Sequence, residues 1–346
     1  MDITEILTFA IKQNASDVQI SAGLPPMVRV DGDLRRLKAP PLEPNQALQM
    51  VHSIMNDRQR KHYEEFMEVD FSFEIADLAR FRVNAFNQSR GPSCAIRIVP
   101  TQVASLQDLG FGPIFQTLSM QPNGLVLVVG PAGTGKSTTL AAMVDHINSN
   151  RHEHILTVED PIEFVHPNKK CLISQREVHR DTLSFNNALR SGIRANVDVM
   201  VVGEMRDLET IRLAITAAET GALVFATLHT NSASKTVDRI IGAFPADEQN
   251  LVQTMLSESL RAVIAQVLLK RQGEGGGRVA AHEIMVGTPA VRNLIREGKV
   301  AQMYSAIQTG QQAGMQTLDQ ALLELCQRQI ISRQVARAKA KLPENF

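Results

Sequence analysis

One octapeptide constrains this chain more than any other feature of its sequence. Gly130-Pro131-Ala132-Gly133-Thr134-Gly135-Lys136-Ser137 fits the pattern G-x-x-x-x-G-K-[ST]. Before it lies an apolar run, Leu125 to Val129. After it Leu140, Met143, Val144 and Ile147 recur at i, i+3, i+4 and i+7. The spacing predicts a strand, a glycine-rich turn and a helix. A helix that starts there offers unpaired backbone N–H groups and the positive end of its dipole, and glycine lets a phosphate approach the backbone closely. We therefore expect Gly130, Gly133, Thr134, Gly135, Lys136, Ser137 and Thr138 to cradle a nucleotide. Lys136 should reach the β- and γ-phosphates, and Ser137 should hold Mg²⁺.

The surrounding pattern agrees. Short apolar segments at Leu125 to Val129, His154 to Val158, Asp198 to Val202 and Leu223 to Leu228 alternate with longer helical stretches. Such alternation predicts an α/β fold with a doubly wound, mostly parallel sheet covered on both faces. In such a sheet ligands bind at the carboxyl edge of the strands. Carboxylates recur there: Glu159, Asp160 and Glu163 after one strand, Glu204 and Asp207 after the next. Glu163 and Glu204 are the candidates for Mg²⁺ or the attacking water, whereas Asp207 before Leu208, Ile211 and Ile215 also suits a helix cap. His229 ends a strand at the same edge, where it could sense a γ-phosphate. His152 and His154 are not joined by a third ligand at metal-site spacing and are expected to be structural. Asn168-Lys169-Lys170-Cys171 lacks the aspartate of a guanine-reading N-K-x-D motif, so adenine, and hence ATP, is the expected base. Helices should dominate from Pro245 onward, broken by a loop over Gly273 to Gly277 and a strand near Val279 to Ile284.

The first hundred residues read differently. A helix near Ile3 to Gln13 precedes strands near Val18 to Ser21 and Met27 to Val30, with Asp31-Gly32 as a turn signal. A single long helix is expected from about Asn45 to Phe66. Phe71, Phe73 and Ile75, then Phe81, Val83 and Ala85, alternate with polar residues as half-buried strands do. Arg82 and Arg97 lie on two of these strands, where solvent-facing positions are the ordinary expectation. The boundaries that follow are a domain over residues 1–100, a linker opening at Pro100 and running over residues 101–123, and a second domain over 124–346.

Composition narrows the function classes. At 346 residues the chain can bury a sizeable core. Its 36 basic residues balance 36 acidic ones, tryptophan is absent and only 4% of residues are aromatic. A nucleic-acid translocase wants a basic track and stacking rings, so no nucleic-acid partner is expected. Cys94, Cys171 and Cys326 show no paired zinc spacing and suit a reducing compartment. An acidic start and short apolar runs suggest neither a signal peptide nor a membrane span, so a cytoplasmic location is expected.

Taken together, Gly130 to Ser137, Glu159-Asp160-Pro161-Ile162-Glu163, Val202-Gly203-Glu204-Met205-Arg206-Asp207 and Thr227-Leu228-His229-Thr230 resemble the Walker A, Asp, Walker B and His boxes of the secretion ATPase superfamily. Ala290-Val291-Arg292-Asn293-Leu294-Ile295-Arg296-Glu297 is similar to the signature of its pilus-retraction branch. The resemblance extends over nearly the whole chain. It implies an N-terminal PAS-like α+β domain, a C-terminal RecA-like P-loop NTPase domain and a homohexamer that hydrolyses ATP with Mg²⁺. It gives Glu204 and Glu163 catalytic roles, His229 a sensing role, and Arg82 and Arg97 the role of donors to the γ-phosphate. Arg292 and Arg296 would couple hydrolysis to motion. Implied partners are further copies of the chain, an inner-membrane pilus platform protein that holds the ring peripherally at the membrane, and a paralogue. An accessory subunit that mainly binds such a catalytic paralogue is the competing reading. Arg194-Ala195-Asn196-Val197-Asp198 departs from the family's acidic-Pro-Asp run, which puts that loop's geometry in question.

Overall fold

The computed structural model describes residues 2–30, 32–76, 78–99, 103–273 and 277–346. Asp31 of the expected turn, Pro100 at the head of the expected linker and the centre of the run from Gly273 to Gly277 lie outside the described residues. The chain divides into two compact units, Met1–Gln102 and Val103–Phe346.

The first unit contains α1 (Ile3–Lys12), β1 (Asp17–Ser21), β2 (Met27–Val30), β3 (Asp33–Arg36), α2 (Pro44–Ser53), α3 (Asp57–Phe66), β4 (Glu68–Ile75), β5 (Ala79–Gln88) and β6 (Gly91–Val99). Its sheet has the order β3-β2-β1-β6-β5-β4, with every neighbouring pair antiparallel. Ile3, Ile6, Leu7 and Ala10 form the buried stripe of α1 at i, i+3, i+4 and i+7. They pack with Phe81, Val83 and Ala85, which share one face of β5. The single helix expected over 45–66 is instead two. Asn56 stops the continuation: its side chain accepts from the Gln59 N–H while Gln59 accepts from the Asn56 N–H, both at 2.9 Å. This capping box starts α3 afresh.

The second unit contains α4 (Pro113–Ser119), β7 (Gly124–Val129), α5 (Lys136–Asn150), β8 (His154–Glu159), β9 (Leu172–Glu177), α6 (Phe185–Arg194), β10 (Val199–Val202), α7 (Leu208–Glu219), β11 (Leu223–Leu228) and α8 (Ala233–Ile241). There follow α9 (Gln249–Ser259), β12 (Leu260–Lys270), β13 (Arg278–Val286), α10 (Pro289–Arg296), α11 (Met303–Thr309), α12 (Leu318–Gln327) and α13 (Arg333–Arg337). The sheet runs β13-β12-β7-β11-β10-β8-β9, parallel except for β13. Alternate residues of β7 feed two cores. Leu125, Leu127 and Val129 pack with α6 to α10 on one face, and Val126 and Val128 pack with α4 and α5 on the other. Leu106, Phe115 and Leu118, ahead of β7, are buried in the second of these cores.

β12 is a correction to the helical expectation after Pro245. Its residues are apolar almost throughout because it lies between β7 and β13 with both faces covered, which leaves no alternation to separate strand from helix.

Candidate nucleotide-binding site

The strand register gathers the candidate residues at one edge. β7 pairs with β11 up to Val129↔Leu228, and β10 pairs with β11 at Val202↔Ala226 and with β8 at Val202↔Val158. Parallel strands in this register end together, so the segments after Val129, Glu159, Val202 and Leu228 emerge side by side.

The turn after β7 is built for close approach. Gly130, Gly133 and Gly135 have φ of +152°, +75° and +85°. A β-carbon on Gly130 would come within 2.5 Å of the Gln266 carbonyl oxygen, so a side chain there would collide with β12. Gly135 is the N-cap residue ahead of α5 and no side chain caps the helix, which leaves its first N–H groups to an anion. Lys136 is buried, and its Nζ donates to the Gly130 and Pro131 carbonyls at 2.8 and 3.0 Å. Burial lowers its pKa, while the carboxylates of Glu204 and Glu163 pull it back up. The lysine thus joins the turn electrostatically to both acidic segments.

Glu204 lies at the centre of a polar cluster. Its Oε1 is 2.9 Å from His229 Nε2, and its Oε2 accepts from Arg206 Nε at 2.8 Å. That hydrogen bond raises the Arg206 pKa. Arg206, two residues beyond Glu204, is a site residue that box spacing alone does not assign. Glu159 is a support for Glu163. It accepts from Thr157 Oγ1 at 2.7 Å and from the Glu163 backbone N–H at 3.2 Å, and burial pushes its carboxyl up. Ser137, Thr157, Glu159, Gly203 and Thr227 help line a cavity of about 40 Å³ at this edge. Ser137, Glu163 and Glu204 carry hard oxygen donors, the chemistry that Mg²⁺ takes.

Other candidates have different surroundings. Asp207 caps α7, accepting from the Thr210 N–H at 2.9 Å. Asn168 Oδ1 accepts from the Ile173 N–H, and Lys169 pairs with Asp145, so the near-miss motif is a loop brace. His154 Nε2 contacts Ser174 Oγ at 2.9 Å. In the first unit, Arg82 and Arg97 face each other across β5 and β6, and both are exposed. Arg97 pairs with Asp17 at 3.1 Å.

The apolar residues of α10 differ in burial. Val291 and Ile295 form the buried stripe of α10, while Ala290 is exposed and Leu294 half-buried. Arg292 Nε donates to the Gly287 carbonyl at 2.9 Å, and Arg296 pairs with Glu258 at 2.6 Å. Both arginines are tethered rather than free.

A phosphate-cradling turn at the carboxyl edge of a RecA-like parallel sheet, faced by a carboxylate and histidine pair, defines a P-loop ATPase. The chain belongs to the type II/IV secretion system protein family, which matches residues 1–337. It is 64% identical to a Pseudomonas aeruginosa protein described as the type IV pilus retraction ATPase PilT, over all of both chains. It is 57% identical to a Neisseria gonorrhoeae twitching motility protein, covering 93% of this chain and 86% of that one. A crystal structure of the pilus retraction motor PilT with bound ADP superposes with a TM-score of 0.93 at 43% identity, covering 100% of this chain and 99% of that one.

Proposed function

We propose that the chain is a Mg²⁺-dependent ATPase that works as a homohexameric motor for type IV pilus retraction. The observation that carries this reading is the meeting of Lys136, Glu204 and His229 at one sheet edge beside a glycine turn with free helix N–H groups. The turn and Lys136 bind and orient the β- and γ-phosphates. Ser137, with one of the acidic residues, would hold Mg²⁺, which would supply positive charge to offset that of the phosphates. Glu204, oriented from both sides by His229 and Arg206, aligns the attacking water. His229, on the rim of the same cluster, reads the γ-phosphate. Arg82 and Arg97 donate to the charge that develops in the transition state, where such donors contribute ~10³ to 10⁵ in rate. The pilus context comes from likeness to a full-length retraction ATPase and a twitching protein. On that reading the ring meets a platform protein at the inner membrane and works beside a paralogue, from the cytoplasmic side. Among the described residues no helix is long and apolar enough to cross a membrane.

The direct test is turnover by the purified chain, with native mass measured alongside. Lys136→Ala should lose most nucleotide affinity and all measurable hydrolysis while keeping its fold. Unchanged hydrolysis would remove the reading, no hydrolysis by the parent chain would favour the accessory-subunit alternative, and a mass other than six copies would remove the hexamer.

A further inference from the structure

Behind the phosphate turn, on the side of β12, lies a polar cluster that the proposed mechanism does not use. Gln266 in β12 is buried, as are Thr139 in α5 and His282 in β13. Gln266 Nε2 donates to the Thr134 carbonyl at 2.6 Å. Its Oε1 accepts from Thr139 Oγ1 at 2.7 Å and lies 3.0 Å from His282 Nε2. The amide orientation follows from chemistry, because a backbone carbonyl can only accept, so the NH₂ end must face Thr134. His282 must then donate through Nε2. Phe111 and Phe115 pack edge-on against its ring at 4.8 and 4.9 Å between centroids. Both ends of one amide are therefore engaged among buried side chains.

The consequence for the turn comes from the planarity of the peptide unit. The Thr134 C=O and the Gly135 N–H belong to one trans peptide, so they point in opposite directions. Fixing the carbonyl toward Gln266 turns the Gly135 N–H away from β12. A β-carbon on Gly135 would lie 3.0 Å from Gln266 Nε2, so the amide packs closely against the turn.

We propose that Gln266 is a positioning residue for phosphate binding: its amide, held by His282 and Thr139, fixes the Thr134–Gly135 peptide so that the Gly135 N–H faces the β-phosphate. The inference rests on the P-loop reading above. Gln266 does not touch the nucleotide and acts through the turn. Because a β-phosphate is present in substrate and product alike, the interaction is uniform binding, which lowers KM and leaves kcat nearly unchanged.

The experiment uses the full chain and the variants Gln266→Met and Gln266→Met with His282→Met. The single change keeps an unbranched side chain of similar bulk but strands the His282 N–H, which costs stability. The double change makes both partners apolar and should recover much of that stability, leaving the Thr134 carbonyl unheld. We expect both variants to raise the KM for ATP and the dissociation constant for ADP by about tenfold or more, with kcat within about threefold of the parent. If ADP affinity returns with stability in the double variant, or never falls in a folded single variant, Gln266 is structural and the proposal is overturned. Should the single variant not fold, the double variant decides alone. Lys136→Ala, run in parallel, separates the two readings: loss of hydrolysis there with unchanged Gln266 variants sinks only this inference.

Discussion

Glu204 shows how a side chain acquires a role from its neighbours. A carboxylate after a strand is commonly a solvated loop residue, but this one is flanked by His229 and Arg206 at 2.9 and 2.8 Å and is mostly covered. Glu204→Gln keeps the size and much of the hydrogen bonding while removing the charge that orients water or metal. It should bind ATP and hydrolyse it at least ~10²-fold more slowly. Collapse of binding, measured by titration, would instead make the residue an organiser of the turn. His282 carries a different kind of prediction. Burial pushes its pKa down to about 3 from the ordinary 6.5. The unfolded chain therefore takes up a proton at this residue before the folded chain does. The associated stability is present above about pH 6.5 and drains away as pH falls toward about 3, with roughly 2 kcal/mol lost by pH 5. His282→Met should flatten that part of the profile in urea unfolding followed between pH 5 and 8. An unaltered slope would mean that His282 titrates alike in both states.

Helices and strands differ in how plainly the sequence encodes them, for physical reasons. α1 was legible because its apolar period and its acidic cap agree, Asp2 accepting from the Glu5 N–H at 2.8 Å. The break before α3 was written in Asn56 and Gln59, yet the polar, helix-forming residues around it favoured one long helix. β9 and β12 escaped because a short strand, or one apolar over most of its length, lacks a clear period of two. In α10 packing buries Val291 and Ile295. The same packing tethers Arg296 to Glu258 of α9 and Arg292 to the carbonyl of Gly287. A helix braced in this way can pass a displacement to the elements it grips. Arg292→Ala with Arg296→Ala should spare nucleotide binding and ring assembly yet abolish twitching. Hyperpiliated, non-twitching cells with substantial ATPase activity are the expected outcome in a host deleted for its own copy. Normal twitching would end the coupling assignment, and loss of the ring would make α10 structural.

At the scale of the whole molecule, each unit organises charge through its own sheet. The first carries a row across its sheet in which Arg29, Asp17, Arg97 and Arg82 stand opposite one another in register. Asp17 engages Arg97, and like charges at 82 and 97 face each other directly, an arrangement that costs stability unless an anion is shared. Arg82→Ala and Arg97→Ala should each lower turnover more than ATP binding, because such donors matter most where charge develops. Parental rates from both variants would return them to solvent-facing positions. The sequence sufficed for the phosphate turn, the alternating strands and the acidic edge, since these depend on local spacing: glycines where φ must be positive, apolar runs where both faces are covered, and carboxylates just past strand ends. It could not show that Gln266, 132 residues beyond Thr134, would hold that residue's carbonyl, or that His229 would reach the carboxylate of Glu204. Those contacts arise from strand order and register, which bring distant residues together, and nothing in local spacing encodes which of many possible neighbours a buried polar group will meet.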